Sequence, residues 1–99
     1  MKEATRHPYE TYIVLMTAEA TGIPAPTLQG LVDEYARHGD ALYRLGLREL
    51  ADLRARILRL NMGGRKERAD YLRGLRASDD PFHRALADGL DTVWGNPTH

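Results

Sequence analysis

The sequence predicts an all-α fold, a compact bundle of about five short helices without a sheet. Apolar residues recur every three or four positions through most of the chain, as on one face of a helix. β-Branched residues are scarce, and no run alternates apolar and polar residues over the length of a strand. A chain of 99 residues holds one core, so residues 1–99 are predicted to form a single domain. Residues 1–7 and 96–99 are expected to fray.

The first helix is predicted over roughly residues 8–21. Pro8 suits the first turn of a helix, where its missing N–H has no partner to lose. Apolar residues then recur at helical spacing and are expected to face the core. They are Tyr9, Tyr12 or Ile13, Met16 and Ala20.

Gly22 is predicted to end that helix in the left-handed conformation that glycine adopts without cost. Pro24 and Pro26 favour extended backbone before them, and Ile23 is expected to point inward. The second helix begins near Pro26 or Thr27 and ends at His38 and Gly39. Its expected apolar stripe comprises Leu28, Leu31, Val32 and Tyr35.

Asp40 is predicted to cap a short third segment, residues 41–45, which Gly46 breaks or kinks. The longest apolar pattern follows it and predicts a strongly amphipathic helix that ends at residues 61–64. Its inward residues are Leu47, Leu50, Leu53, Ile57 and Leu60.

A further helix is predicted over about residues 65–77, and the last one begins at a clear start signal. Asp80 is the expected N-cap and Pro81 the first helical residue. This last helix is expected to end at residues 95–96. Phe82 and Trp94 lie on the same face and are expected to anchor it to the bundle.

Composition excludes several classes of function. The chain has no cysteine, so disulfides, thiolate metal sites and thiol catalysis are absent, which fits a cytoplasmic location. No stretch approaches the roughly 20 apolar residues that span a membrane, and no secretion signal is recognised at the start. The net charge is zero, yet residues 44–76 contain ten Arg or Lys and four Asp or Glu. This central excess of positive charge indicates either a solvated surface or a surface that meets a polyanion.

No catalytic residue, cofactor or metal ligand is nominated by the sequence. The four histidines lie far apart, whereas zinc needs three or four convergent ligands. Ser78 is the only serine and lies beside a helix cap, which favours a structural role. Arg65 and Lys66 follow two glycines at the start of a helix and are candidates for binding phosphate. Side chains from different helices remain free to converge on an acid–base pair that spacing does not reveal.

Residues 17–31 resemble the helix-turn-helix of winged-helix transcriptional regulators. A small residue at Ala18, the glycine at Gly22 and the inward aliphatic at Ile23 match that motif. The resemblance implies a DNA-binding recognition helix in which Gln29 is the best candidate to read a base. The implied DNA-contacting residues are Thr27, Gln29, Gly30, Arg37, Arg44 and Arg48.

The same stretch also resembles the helical C-terminal domain of ketopantoate-type and opine-type dehydrogenases. In those proteins the second proline of the turn, here Pro26, starts a helix, and the domain shapes a substrate cleft or a dimer. The chain contains no G-x-G-x-x-G motif. The resemblance therefore implies shared architecture rather than hydride transfer.

Five tyrosines accompany a single phenylalanine. Tyrosines that line one surface would indicate a partner interface, and the alternative is that each ring packs at the rim of the core. We therefore expect a non-enzymatic module that binds another protein or a second copy of itself. A helix-turn-helix DNA-binding regulator is the first alternative, and a small-molecule-binding or enzymatic helical subunit is the second. A DNA-binding protein should present the central positive charge on the same face as Gln29.

Overall fold

The computed structural model describes residues 4–95, which form five α-helices and no strand. The prediction of an all-α fold is therefore confirmed. No helix among these residues is long and apolar enough to cross a membrane. The helices are α1 (Glu10–Thr21), α2 (Ala25–Arg37), α3 (Asp40–Asn61), α4 (Arg65–Arg76) and α5 (Pro81–Val93).

Helices α1, α2 and α3 form a three-helix bundle, and α4 and α5 form a hairpin that packs back onto it. Two hydrogen bonds set the register of α1 against α3. The Tyr43 hydroxyl donates to Glu10 Oε1 at 2.5 Å, and the Thr17 hydroxyl donates to the Leu50 carbonyl at 3.3 Å. Both pairs are 33 residues apart, so α1 and α3 run parallel and each residue of α1 lies level with the residue 33 positions later.

One hydrophobic core joins all five helices. The corner residue Ile23 is buried in it, as its position between Gly22 and Pro24 predicts. The largest fully buried apolar side chains of the core are Tyr43, Ile23, Leu28, Ile57, Leu72, Leu86, Leu90 and Val32.

The predicted inward face of α1 is confirmed only in part, because Ile13 and Ala20 pack against the core whereas Tyr9 and Tyr12 are exposed. The fully buried residues of this helix are Glu10, Val14, Thr17 and Thr21, whereas Tyr12 is 63% exposed. Apolar residues occur on nearly every side of α1, so their spacing does not select the face that packs inward. The two threonines are buried at low cost because their hydroxyls are hydrogen-bonded. The Thr21 hydroxyl donates to the Thr17 carbonyl at 2.7 Å and accepts the Ile23 N–H at 3.2 Å.

The corner between α1 and α2 forms as predicted. Gly22 adopts the left-handed conformation with φ of 75° and donates its N–H to the Ala18 carbonyl. It also lies against the backbone of Gly89 in α5 so closely that neither residue has space for a Cβ atom. Glycine is therefore required at Gly22 both by its backbone conformation and by the approach of α5.

The predicted break at Gly46 is wrong, because α3 is one continuous helix through this residue. A Cβ atom on Gly46 would lie 2.5 Å from Cδ2 of Tyr35. Glycine at this position allows α2 to approach α3. Glycine is less favourable than alanine inside a helix, but here it does not end the helix. Asp40 is also not an N-cap. It is the first helical residue, and its Oδ1 accepts the Thr5 N–H at 3.2 Å.

Local signals place the last two helices correctly. Asp80 caps α5 by accepting the Phe82 N–H at 2.9 Å, and Pro81 is the first helical residue. Trp94 follows the last turn of α5, where its indole N–H donates to Asn61 Oδ1 at 2.5 Å and its ring meets Tyr71 edge-on at 6.4 Å. This contact anchors the end of α5 to the connection between α3 and α4.

Residues 4–7 are attached to the bundle, in contrast to the fraying expected over residues 1–7. The Ala4 side chain is buried, and its N–H donates to the Ala36 carbonyl at 2.9 Å. The His7 N–H donates to the Tyr43 hydroxyl at 2.9 Å. These backbone groups find partners on α2 and α3, which spacing along the chain does not reveal. Residues 1–3 and 96–99, for which fraying was also expected, lie outside the described residues.

Candidate functional site

An open groove of about 770 Å³ runs between the parallel helices α1 and α3. Tyr9 and Ile13 form its α1 side. The α3 side combines apolar residues with two arginines: Ala41, Arg44, Leu45, Leu47, Arg48 and Ala51.

Large apolar side chains are exposed in and around this groove. Tyr9 is 49% exposed, Leu45 is 43% exposed, and Tyr12 is 63% exposed on the adjoining side of α1. Ile13 lines the groove, and both it and Met16, three residues later on α1, are half-buried. Tyr9 and Tyr12, which the spacing predicts to face the core, thus contribute to an exposed apolar surface instead. We call the surface formed by Tyr9, Tyr12, Ile13, Arg44, Leu45 and Arg48 the α1–α3 face.

Arg44 and Arg48 lie on the α1–α3 face without an ion-pair partner among residues 4–95. Some exposed cations are paired, such as Lys66 with Asp70 at 3.2 Å, whereas Arg56, Arg59 and Arg84, like Arg44 and Arg48, have no ion-pair partner among the described residues. The two arginines therefore combine free positive charge with the apolar stems of their side chains at the edge of an apolar groove.

A polar cluster centred on Glu10 supports one end of the groove. Glu10 accepts hydrogen bonds from Tyr43 at 2.5 Å, from Gln29 at 2.7 Å and from Arg6 at 2.9 and 3.0 Å. Burial raises the pKa of Glu10, but the hydrogen bonds from Tyr43, Gln29 and Arg6 outweigh it and leave the pKa below its ordinary value. The carboxylate is therefore charged and fully bonded, which indicates a structural role.

The same cluster attaches the N-terminal segment and thereby positions Tyr9. Arg6 bonds Asp33 at 2.9 Å as well as Glu10, and the Arg6 hydrogen bond followed by that of Gln29 lowers the pKa of Asp33. The His7 ring stacks on Tyr9 at 4.9 Å and on Tyr43 at 5.5 Å. Tyr9 is consequently held at the mouth of the groove rather than in the core.

Sequence reasoning did not identify Arg6 and Glu10. The one local signal that could have identified them is their spacing of four residues, with a base before an acid. The other partners of Glu10 lie 19 and 33 residues further along the chain. Only the folded chain brings them together.

The residues implied by the helix-turn-helix resemblance fall in different surroundings. Thr27 and Gly30 are exposed on α2, and no atom comes within 4 Å of the position of a Cβ on Gly30. Gln29 is half-buried, and its amide nitrogen donates to Glu10 at 2.7 Å and to Asp33 at 3.1 Å. Arg37 pairs with Glu34 on the same helix.

Arg44 and Arg48 lie apart from Gln29. Arg44 and Arg48 line the groove between α1 and α3. Gln29 lies at the seam between α1 and α2, where it bonds Glu10. These two arginines and the candidate base-reading residue therefore belong to different parts of the surface.

The phosphate candidates lie at the start of α4. Lys66 pairs with Asp70 at 3.2 Å, and Arg65 is the first helical residue. The loop before them is held together by Arg68, whose guanidinium donates to the carbonyls of Leu60 at 3.1 Å and Gly63 at 2.7 Å. These contacts account for the loop as a connection between α3 and α4.

A second groove of about 720 Å³ lies between α2, α3 and the α4–α5 hairpin. Its walls mix aromatic rings with charged groups of both signs, including Tyr35, Glu49, Asp52, Arg56, Tyr71 and Phe82. No group of three His, Asp or Glu side chains within residues 4–95 is arranged to hold a metal ion. This groove is the place to look for a small molecule, the second alternative that the sequence leaves open.

Comparisons with known proteins add no relative. No protein family model, no curated protein and no solved structure matches the chain.

Proposed function

We propose that this protein works by binding another protein chain through the α1–α3 face. The observation that carries the proposal is the exposure of Tyr9, Tyr12 and Leu45 beside Arg44 and Arg48, which have no ion-pair partner among the described residues. Tyrosine and arginine are the residue types enriched where proteins bind one another, because each offers contact area together with a polar group.

Burial of this surface by a partner removes apolar area from water without breaking any internal contact. Tyr12 and Leu45 lie on formed helices, so their backbone is already ordered and binding costs less conformational entropy than ordering a flexible loop. The compartment proposed for this activity is the cytoplasm, on the absence of cysteine.

Photocrosslinking tests the proposal. A photoreactive phenylalanine analogue replaces Tyr12 in the full chain, and the matched control carries it at Lys66, whose side chain is 89% exposed on α4. We expect illumination of expressing cells to give a discrete crosslinked product from position 12 and not from position 66. Equal products from both positions, or none from position 12, would contradict binding through the α1–α3 face.

The helix-turn-helix alternative rests on the corner geometry, since Gly22 is left-handed and Ile23 is buried as that motif requires. It has less support because the Gln29 amide already bonds Glu10 and Asp33. A salt-dependent shift of duplex DNA at low ionic strength and micromolar protein would favour this alternative over the proposal. If the protein did not shift duplex DNA under those conditions, the helix-turn-helix alternative would be excluded.

A further inference from the structure

We infer that the groove between α2, α3 and the α4–α5 hairpin binds a small aromatic amine in its protonated form. This groove shares no lining residue with the groove between α1 and α3, so the inference goes beyond the proposed function. It follows from the size of the groove, the side chains that line it and the charge on its α3 wall.

The groove has the size and the apolar floor of a small-molecule site. Its volume is about 720 Å³, and sites for drug-sized molecules enclose roughly 300–1,000 Å³. Leu50, Leu75 and Leu86 form its floor; they are buried in the core and belong to three different helices. An apolar ligand placed here therefore contacts the core of the protein and is removed from water.

Aromatic rings line the groove from three sides. Tyr35 belongs to α2, Tyr71 to α4 and Phe82 to α5. Each of these residues is half-buried, so each keeps part of its surface accessible to a ligand. Flat rings pack well against such side chains, and a positive charge is attracted to their π faces. The aromatic residues thus favour a flat ligand and favour a cation over an anion.

The charged groups of the groove have an excess of carboxylates. Glu49 and Asp52 line its α3 wall, and neither has an ion-pair partner among the described residues. Asp80 lines it from the hairpin, with Oδ2 at 3.8 Å from His83 Nε2. Arg56 is the one arginine among the described residues that line the groove. A cationic ligand can therefore pair with carboxylates that are otherwise unpaired.

The ammonium group of the ligand is placed at the Tyr35 end of the α3 wall. The Tyr35 ring packs on Gly46, where a Cβ atom would lie 2.5 Å from its Cδ2. Glu49 is three residues after Gly46, or about 4.5 Å further along the axis of α3, whereas Arg56 is about 15 Å further. An ammonium group beside Glu49 is therefore close to the level of the Tyr35 ring and well separated from the level of Arg56.

Other classes of ligand fit fewer of these features. A metal ion needs several converging ligands, and no group of three His, Asp or Glu side chains within residues 4–95 is arranged to hold one. A neutral apolar molecule would shield the Glu49 and Asp52 carboxylates from water without pairing them, and an anion would be repelled by them. A protonated aromatic amine uses the apolar floor, the rings and the carboxylates together.

Calorimetric titration of the full chain with three matched naphthalene probes tests the inference. Naphthylethylamine carries a positive charge at neutral pH, naphthylethanol is neutral, and naphthylacetate is an anion. We expect the amine to bind about fivefold more tightly than the alcohol, because the alcohol forms no ion pair with the carboxylates. The acetate should bind more weakly than the alcohol.

Charge substitutions assign the binding to this groove. Glu49→Gln combined with Asp52→Asn should weaken binding of the amine about fivefold, and Arg56→Gln should strengthen it about twofold by removing a like charge. Neither change should alter the affinity for the alcohol. Asp88→Asn and Arg59→Gln are the matched controls, because these exposed residues do not line the groove. Circular dichroism verifies that each variant keeps its helices.

Several results would overturn the inference. Equal affinities for the three probes would show a groove without charge selectivity, and no binding of the amine at millimolar concentration would remove the site. An amine that binds equally well to wild type and to the Glu49 and Asp52 double variant lies elsewhere on the protein. Equal weakening by Asp88→Asn would indicate a general effect of net charge. The proposed function is decided separately, by the crosslink from position 12.

Discussion

Gly89 of α5 packs against the backbone of Gly22, where α1 turns into α2, so that two chain segments touch without side chains between them. A Cβ on Gly89 would lie far inside contact distance of the Thr21 carbonyl oxygen. This pair of glycines attaches the α4–α5 hairpin to the three-helix bundle, and neither backbone can shift without disturbing a helix.

Gly89→Ala should therefore lower the free energy of unfolding by about 1–3 kcal/mol, the usual cost of overpacking. The measurement is urea unfolding followed by circular dichroism. Gly74→Ala is the control, because nothing lies within 4 Å of a Cβ at this position inside α4. It should stabilise the protein by about 0.5–1 kcal/mol through helix propensity. Equal effects of the two substitutions would show that the glycine contact is not tight.

Tyr43→Phe should lower the free energy of unfolding by about 1–3 kcal/mol. The substitution removes the donor to Glu10 and leaves the His7 N–H without its acceptor. Tyr71→Phe is the control, since the Tyr71 hydroxyl makes no hydrogen bond within the described part of the chain and its ring contact with Trp94 is kept. It should change stability by less than about 0.5 kcal/mol. A similar small change for Tyr43→Phe would contradict the structural role of the Glu10 cluster.

The Arg6 contacts predict a dependence of stability on pH. The folded pKa values of Glu10 and Asp33 lie below their ordinary values, so the unfolded chain binds more protons in acid. Their stabilisation is complete above the unfolded values of about 4 and is lost as the pH falls through the folded values. Wild-type stability should therefore decrease as the pH falls below about 5, so that it is lower at pH 3 than at pH 6.

Arg6→Gln should reduce that decrease, because it removes a guanidinium that lowers both pKa values. Stability near neutral pH should fall by about 1 kcal/mol, a modest value because Arg6 and Asp33 are partly exposed to solvent. Urea unfolding at the two pH values measures both effects. Arg84→Gln is the control for loss of an arginine. If the free energy of unfolding changed equally with pH in the wild type and in Arg6→Gln, this explanation would be contradicted.

Asp80→Ala should destabilise the protein by about 1 kcal/mol, because it removes the side-chain acceptor for the Phe82 N–H at the start of α5. Asp79→Ala removes the same charge one residue earlier, outside the cap, and should change stability by less than about 0.5 kcal/mol. Trp94 is the only tryptophan and contacts Asn61, so its fluorescence reports whether the α5 end remains docked. Equal losses for the two variants would indicate a charge effect rather than a cap.

The ends of most helices were predictable because the signals that end or begin them act within a few residues. Gly22 needs only its own left-handed conformation to end α1, and Asp80 needs only the N–H two residues later to begin α5. The apolar stripe of α2 was likewise predictable in part, since Leu28 and Val32 face the core at the expected spacing.

The candidate binding face was decided by tertiary structure. Apolar residues lie on nearly every side of α1, so the free energy of burial favours no single face until α2, α3 and α5 pack against it. The buried face then contains Glu10 and Thr17, because hydrogen bonds from α3 and to α3 compensate the loss of water. Tyr9 and Tyr12 are left outside, and that exposure gives the α1–α3 face its apolar character.

Gly46 also shows the difference between local preference and tertiary contact. Its local propensity predicted a break, yet the approach of Tyr35 from α2 requires a residue without a side chain inside a continuous helix. Spacing along the chain determines where helices begin and end, because capping and backbone conformation are local. Which side of α1 meets solvent depends on contacts between distant residues, and a single sequence does not encode these contacts as a local pattern.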